Sequence, residues 1–283
     1  MTSIAYLGTG LLGSAFVEAA LGRGDAVTVW NRTAAKAAPL AAFGATLAAT
    51  PADAVKGAER VHLVLSDDAV VNDVVDQLRN DLAPMAIIVD HSTTQPALTA
   101  ARCVRLAAAG VRYLHCPVFI GPSMARQGQG TILASGPQAL FDAVRPALER
   151  QAVRVEYLGE RAEQAAVMKL CGNALLIGIA GAIADMYAIG SGGGVAPVEV
   201  ARVFEYFNFN TVVGGRGAAM AKGLFGAPSF DLEMARKDVR LMIETAGTFA
   251  LATLPGIAAR MDVLIAEGHG GDDTAVLARD AVR

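Results

Sequence analysis

Lys169 and Asn173 stand four residues apart inside an otherwise apolar stretch, Ala165-Ala166-Val167-Met168-Lys169-Leu170-Cys171-Gly172-Asn173. On a helix that spacing puts both side chains on one face, so an ammonium and an amide can converge on one small molecule. An ammonium held in a partly dry cleft is drawn toward neutrality and can pass a proton to or from a substrate oxygen. The same spacing also suits a lysine whose stem covers apolar surface while its head reaches water, beside an asparagine that bonds a neighbouring helix. Only five lysines occur among 24 Lys and Arg residues, which sets Lys169 apart from the ordinary surface charge of this chain.

A second chemical pattern opens the chain. Ile4-Ala5-Tyr6-Leu7 is a short apolar run that breaks into Gly8-Thr9-Gly10-Leu11-Leu12-Gly13, and an Ala-rich helical pattern follows. In this strand–turn–helix order G-x-G-x-x-G suits a dinucleotide. Gly8 makes the tight turn, Gly10 lets a pyrophosphate approach the backbone, and Gly13 lets the new helix pack on the strand. The helix opening at Leu11 and Leu12 offers free N–H groups and a positive dipole end to the phosphates. A structural strand–helix turn would carry the same glycines. A second strand, Ala26 to Trp30, ends in Asn31-Arg32-Thr33. An NAD site usually carries Asp or Glu at that strand end to bind the adenine ribose. Here Arg32 offers a guanidinium fork suited to a phosphate, and Asn31 and Thr33 add polar groups, so NADP(H) is the expected cofactor. The alternative is a solvated arginine at a helix start.

The elements that must position these groups alternate at first. Strand candidates follow at Val61–Leu65, Ala86–Asp90, Tyr113–Cys116, Thr131–Ala134 and Val153–Tyr157, with helical patterns such as Thr33–Phe43 and Pro137–Arg150 between most of them. That alternation predicts an α/β fold with a mostly parallel, doubly wound sheet. From about Glu160 the strand signal disappears. Apolar helical segments follow, with breaks expected at Gly190–Gly194, Gly214–Gly217, Gly226–Pro228, Pro255-Gly256 and Gly268–Gly271. The expected organisation is a dinucleotide-binding domain of Rossmann type over 1–160 and an all-helical domain over 161–283, joined by a long helix. The apolar run Leu170–Ala184 reads as a buried helix, too short to span a bilayer.

Composition agrees with a soluble enzyme acting on a small molecule. The net charge of the 283 residues is −3, which gives no reason to expect nucleic acid or membrane partners. Cys103, Cys116 and Cys171 lack paired or metal-ligand spacing, so neither a disulfide framework nor a metal is expected, and a reducing cytoplasm fits. No basic region precedes the first apolar run, so no signal peptide is expected.

Taken together, these motifs resemble the β-hydroxyacid dehydrogenases, the group of 3-hydroxyisobutyrate dehydrogenase and the small NADPH-dependent glyoxylate and semialdehyde reductases. The resemblance runs nearly end to end. It rests on Gly8–Gly13, Trp30-Asn31-Arg32-Thr33, Val89-Asp90-His91-Ser92-Thr93 followed by Pro96, the Lys169…Asn173 pair, and Lys237-Asp238-Val239-Arg240-Leu241. It implies Lys169 as catalytic acid and base, Asn173 orienting the substrate, and Lys237 near nicotinamide and substrate. It also implies Leu65, Ser66, Ser92 and Thr93 edging the cofactor, and a homodimer.

One motif departs. Where the family carries Asp-Ala-Pro-Val-Ser-Gly-Gly to hold a substrate carboxylate, this chain has His115-Cys116-Pro117-Val118-Phe119-Ile120-Gly121. Phe119, Ile120 and Gly121 then line the substrate side with an apolar wall in place of a hydroxyl. Gly128-Gln129-Gly130 is a second, milder departure, and Ser123 or Arg126 offers a replacement polar contact. The expected reaction is hydride transfer between nicotinamide and a small hydroxy acid, a semialdehyde or a related carbonyl, with larger or less polar substrates favoured by Phe119. Imine reductases share the Asn-Arg-Thr site and apolar pockets but usually carry Asp or Tyr at the lysine position. A dinucleotide-binding protein without catalysis is the alternative of another class.

Overall fold

The computed structural model describes residues 3–206 and 208–282. Packing divides the chain after Asn173 into two compact units. The first contains β1 (Ser3–Leu7), α1 (Leu11–Gly22), β2 (Ala26–Trp30), α2 (Ala34–Ala37), β3 (Thr46–Leu47), α3 (Pro51–Val55), β4 (Arg60–Leu63), α4 (Asp68–Leu78), β5 (Ile87–Asp90), α5 (Pro96–Ala108), β6 (Arg112–His115), β7 (Val118–Phe119), α6 (Pro122–Arg126), β8 (Thr131–Ala134), α7 (Gln138–Leu148), β9 (Arg154–Tyr157) and the start of α8 (Gln164–Gly192). The second holds the rest of α8 with α9 (Pro197–Val200), α10 (Val203–Tyr206), α11 (Phe209–Ala221), α12 (Leu232–Ala246) and α13 (Leu254–Leu264). The strands cease before 160, as their pattern indicates, but the packing boundary falls later, inside α8.

The main sheet has the order β3-β2-β1-β4-β5-β6, with every neighbouring pair parallel. Its inner strands are nearly continuous apolar runs because helices cover both faces. Successive β1 residues feed opposite cores. Ile4 and Tyr6 pack with Phe16 and Val29, whereas Ala5 and Leu7 pack with Val61 and Leu63. The order reverses direction between β1 and β4, and the crevice at their carboxyl ends is where an open α/β sheet receives its ligand.

Two expected strands leave this sheet. Pro117, which has no N–H to extend a ladder, ends the run after β6. β7 then pairs antiparallel with β8, β8 runs parallel to β9, and the three form a separate small sheet. The expected helix Thr33–Phe43 is also divided, into α2 and a 3-10 segment Ala38–Phe43 with Pro39 in its first turn.

In the second unit, glycine and proline interrupt less than expected. Gly214–Gly217 lies inside α11, where Arg216 donates to the Asp273 carboxylate at 2.8 Å. Pro255-Gly256 lies in the first turn of α13, where proline's missing N–H would be unbonded in any case. That turn is capped instead by Asp185 of α8, which accepts from the Thr253 and Leu254 N–H groups at 2.9 Å each. Burial pushes the Asp185 carboxyl up, but the hydrogen bonds from Thr253 and from the backbone outweigh it and hold it below the usual Asp value.

The apolar run expected to be buried is the clearest correction. α8 is 29 residues and holds an 18-residue stretch of mean hydropathy 1.8, long and apolar enough by composition to cross a membrane. Leu175, Leu176 and Ile177 are 54%, 59% and 73% exposed. Composition announces an apolar face but does not say what covers it.

Beneath β1 and β4 lies a buried ring stack. Tyr6 stacks on His62 at 4.6 Å and His62 on His91 at 5.2 Å. His91 Nδ1 lies 2.7 Å from the Cys116 carbonyl, which can only accept, so His91 Nε2 accepts from His62 Nδ1 at 3.0 Å. Burial away from water keeps both imidazoles neutral, the form in which this donor and acceptor order holds. Burial drives the His62 pKa well down and that of His91 to about 4. An unfolded chain takes up these protons near pH 6.5, and the folded one resists. Stability of the N-terminal unit is thus expected to be level above about pH 6.5 and to fall as the pH drops toward 4, at up to about 1.4 kcal/mol per pH unit per histidine. Urea unfolding across that range, with His62→Phe flattening the slope, checks it; an unchanged slope would remove the histidines as its cause.

Candidate functional site

The three glycines of the first turn do three separable things. Gly8 has φ +99°, and a Cβ there would sit 2.2 Å from the Val64 carbonyl oxygen. A Cβ on Gly13 would sit 1.9 Å from the Gly8 carbonyl oxygen, so α1 reaches β1 only because residue 13 has no side chain. Around Gly10 a Cβ would meet nothing within 4 Å. That open position caps α1 with no side-chain hydrogen bond and no acidic residue in the first turn. Unclaimed N–H groups beside a side-chain-free backbone suit a pyrophosphate, with Leu11 exposed and Leu12 half-buried at the helix start.

A cavity of about 200 Å³ adjoins Gly8 and Gly10, lined also by Asn31, Arg32, Thr33, Lys36, Leu65 and Ser66. Arg32 and Lys36 are both exposed at its rim, with Asp73 the carboxylate of the lining. Two cations at the end of β2 suit a phosphate-bearing ribose better than a bare diol. The sequence pattern did not single out Lys36; its place four residues after Arg32, inside α2, is the signal that would have. Asn31 also lines this cavity and is held in place by the backbone. Its Oδ1 accepts the Thr9 N–H at 3.0 Å and its Nδ2 donates to the Thr33 carbonyl at 2.9 Å, so it ties the glycine turn to the end of β2.

Ser92 is likewise part of a scaffold. Its Oγ accepts the Leu65 N–H at 3.0 Å, and its own N–H donates to Asp90 Oδ1 at 2.9 Å. The fully buried Asp90 also accepts from the Tyr113 hydroxyl at 2.5 Å, and the buried Arg102 donates to Tyr113 and, at 2.8 Å, to Asn72. Arg102 is further paired with Asp68. These residues hold the loops after β4 and β5 together; Leu65 and Ser66 line the cavity, Ser92 is buried and Thr93 is half-buried. Ser66 Oγ donates to Asp67 at 2.7 Å.

Lys169 and Asn173 meet as expected. Lys169 Nζ donates to Asn173 Oδ1 at 2.8 Å. The lysine is only 9% exposed, and burial alone pushes its pKa below the usual Lys value. Phe119 joins them, with the ammonium 4.3 Å from its ring centroid. Ile120 is not forced into a glycine conformation, since among the described residues none but glycine has positive φ. The second departure is coupled to the first. A Cβ on Gly130 would lie 2.7 Å from the Phe119 carbonyl oxygen and 2.8 Å from Ile120 Cγ1. Gly121 precedes α6 in extended conformation. Arg126 offers no polar contact to the site because it is committed to Glu18 at 2.6 Å, and Ser123 is simply exposed. Lys237 belongs to the second unit, on α12, where it is exposed and paired with Asp238 at 2.7 Å. Among the described residues no group of three His, Cys, Asp or Glu side chains could hold a metal.

Residues 3–159 match the family model of the NAD binding domain of 6-phosphogluconate dehydrogenase. The chain is 28% identical over 244 residues to glyoxylate/succinic semialdehyde reductase 1 of Arabidopsis thaliana, covering 85% of this chain and 84% of that one. Among solved structures, a reductive aminase from Aspergillus terreus in complex with NADPH and ethyl levulinate superposes with a TM-score of 0.84 at 27% identity over 100% of both chains. An imine reductase from Myxococcus stipitatus in complex with NADP+ has a TM-score of 0.88 at 24% identity, over 98% of this chain and 99% of that one, which supports the fold.

The glycine geometry separates two substitutions. Gly13→Ala is expected to destabilise the N-terminal unit by about 1–3 kcal/mol, the cost of forcing extra atoms into packed structure. Gly10→Ala should leave the urea midpoint in place and weaken dinucleotide binding, measured by fluorescence titration. A Gly13→Ala protein as stable as the parent would contradict the close approach of α1 to β1.

Proposed function

We propose, because this chain belongs to the β-hydroxyacid dehydrogenase family with the NAD-binding domain of 6-phosphogluconate dehydrogenase, that it is an NADP(H)-dependent reductase and dehydrogenase in which Lys169 is the general acid and base. The observation that carries this reading is the buried ammonium of Lys169 bonded to Asn173, in a unit whose glycine turn leaves a pyrophosphate cradle open. Gly8, Gly10, Gly13 and the N–H groups of α1 would hold the pyrophosphate. Arg32, Lys36 and Thr33 would take the ribose phosphate, with Leu65, Ser66, Ser92 and Thr93 along the edge. When bound, the nicotinamide supplies or accepts the hydride. In the reducing direction Lys169 gives its proton to the carbonyl oxygen as the hydride arrives at carbon, and as a neutral amine it takes the proton back in oxidation. Asn173 orients the ammonium and the substrate oxygen beside it, and Lys237 is proposed to face nicotinamide and substrate.

Phe119 and Ile120 set the substrate class. A pocket that has exchanged a hydroxyl for a ring loses a donor to a carboxylate, and with it much of the discrimination for small hydroxy acids. Larger or less polar carbonyl compounds are therefore the favoured substrates. Imine reduction is the second reading, favoured by the apolar wall at Phe119 and by the whole-chain likeness to a reductive aminase. The lysine argues for a carbonyl, because an ammonium repels a cationic iminium.

We place this enzyme in the cytoplasm, on its three free thiols, and propose that it works as a homodimer in which a second copy covers the exposed Leu175, Leu176 and Ile177 face of α8. Sedimentation equilibrium of the purified chain should give a dimer, and Ile177→Lys should shift it toward monomer. A chain that sediments as monomer, or that partitions into lipid vesicles, would overturn the dimer.

Turnover is tested by following NADPH and NADH oxidation against small carbonyl acids, neutral aldehydes and ketones, and cyclic imines. Lys169→Ala is expected to lower kcat by about 100-fold or more, the usual worth of a general acid, with NADPH binding unchanged. A loss below about tenfold would remove Lys169 from proton transfer. NADPH binding with no turnover of any carbonyl or imine would instead mark a non-catalytic dinucleotide binder.

A further inference from the structure

We infer that Phe119 is a positioning residue for proton transfer, its ring clamped in the notch at Gly172 so that the Lys169 ammonium rests on the aromatic face and points its remaining N–H groups at the substrate oxygen. This rests on the assignment of Lys169 as acid and base, and it gives the ring a task beyond excluding carboxylates.

The clamp is visible from both sides of residue 119. On the helix side, a Cβ on Gly172 would sit 2.3 Å from Phe119 Cζ and 2.5 Å from Cε1, so any other residue at 172 would drive the ring out. On the strand side, Phe119 is registered opposite Thr131 in the β7–β8 ladder, and Gly130 allows the backbone approach to its carbonyl. Gly172 thus makes room for the ring of residue 119, and Gly130 makes room for its backbone. The ring has little freedom to leave the ammonium.

The ammonium needs such a neighbour. Its centre lies 4.3 Å from the ring centroid, inside the range where the negative face of a π-system attracts a cation. Its hydrogen-bond partner among the described residues is Asn173. Among the described residues no carboxylate pairs with it. Glu163, just before α8, is engaged by Arg161 at 2.8 Å; Arg126 of α6 is engaged by Glu18; and Cys171 is exposed to solvent. Burial works against the charged form, and the ring and the Asn173 oxygen work for it. An ammonium has three N–H donors. One goes to Asn173, the ring face restrains the head, and what remains is available to a carbonyl oxygen. In the reducing step one Lys169 N–H bond breaks, and the proton joins the oxygen while the carbonyl π pair moves onto it. The hydride pair comes from the reduced nicotinamide, and the amine regains its proton from water.

The test compares Phe119→Leu, which keeps apolar bulk and removes the π face, with Phe119→Tyr, which keeps the ring. The first readout uses protein without cofactor or substrate: the pH dependence of Lys169 acylation by acetic anhydride, followed by mass spectrometry of its peptide. The Leu variant should move the labelling midpoint about half to one pH unit lower, the size of a cation–π contact expressed as a pKa difference. The Tyr variant should keep the parent midpoint. Gly172→Ala, which displaces the ring without altering residue 119, should reproduce the Leu shift. The pH–rate profile of NADPH oxidation should move in the same direction, with the KM for NADPH unchanged. A parent midpoint in both Phe119→Leu and Gly172→Ala would overturn the inference while leaving Lys169→Ala inactive. A shifted midpoint with full turnover in Lys169→Ala would instead overturn the acid and base assignment, and with it the role of the ring in proton transfer.

Discussion

The N-terminal unit is organised by how closely one helix backbone approaches one strand end. With a Cβ on Gly13 placed 1.9 Å from the Gly8 carbonyl oxygen, α1 can lie where it does only if residue 13 is glycine. That approach aims the first turn of α1 across the carboxyl ends of β1 and β4, where strand order reverses and the crevice opens. It also leaves Gly10 facing open space, with N–H groups that no described residue has claimed. A cofactor cradle follows from the same sterics that pack the core. The site and the fold share one cause.

Around that point the unit is tied by buried polar groups. Asp90 and Arg102 sit fully out of water, and each is held by several partners, among them Tyr113, Asn72, Asp68 and the Ser92 N–H. Buried charge of this kind is tolerated only when its hydrogen bonds are met, and it resists rearrangement once they are. Here it fixes the two loops that edge the crevice. The His62–His91 pair serves a similar purpose below the sheet by remaining neutral, which makes its contribution sensitive to acid. Asp185 repeats the theme in the second unit, where one carboxylate of α8 organises the start of α13.

α8 carries two unlike properties along one helix. Near its start Lys169 is buried against Phe119 and bonded to Asn173; farther on, Leu175, Leu176 and Ile177 are open. The apolar stretch between Lys169 and Asp185 holds no charge, so the helix presents a buried lysine at one end and an exposed apolar face farther on, with little between them to mark the change. Gly172 sits at that transition, and its missing side chain admits the ring of Phe119 to the lysine.

Local sequence determined the elements and which chemically able residues they carry. The Gly8–Gly13 spacing, the basic end of β2 and the four-residue step from Lys169 to Asn173 are properties of one turn or one helix, so periodicity and residue type are enough to read them. Strand ends came within a residue or two, because apolar runs stop where backbone must meet water. Tertiary structure decided whatever depends on a partner distant along the chain. It tied Asn31 and Ser92 to distant loops, through hydrogen bonds that reach Thr9 and Leu65. It moved β8 and β9 into a second sheet, because Pro117 ends the ladder and β7 folds back. It kept Gly214–Gly217 helical beside the Arg216–Asp273 pair, which no count of glycines foretells. It put the face of α8 in the open, since amino-acid composition measures how apolar a surface is and only packing decides what lies against it. And it joined Phe119 to Lys169 across the long chain between them, a contact set by the volume left at Gly172.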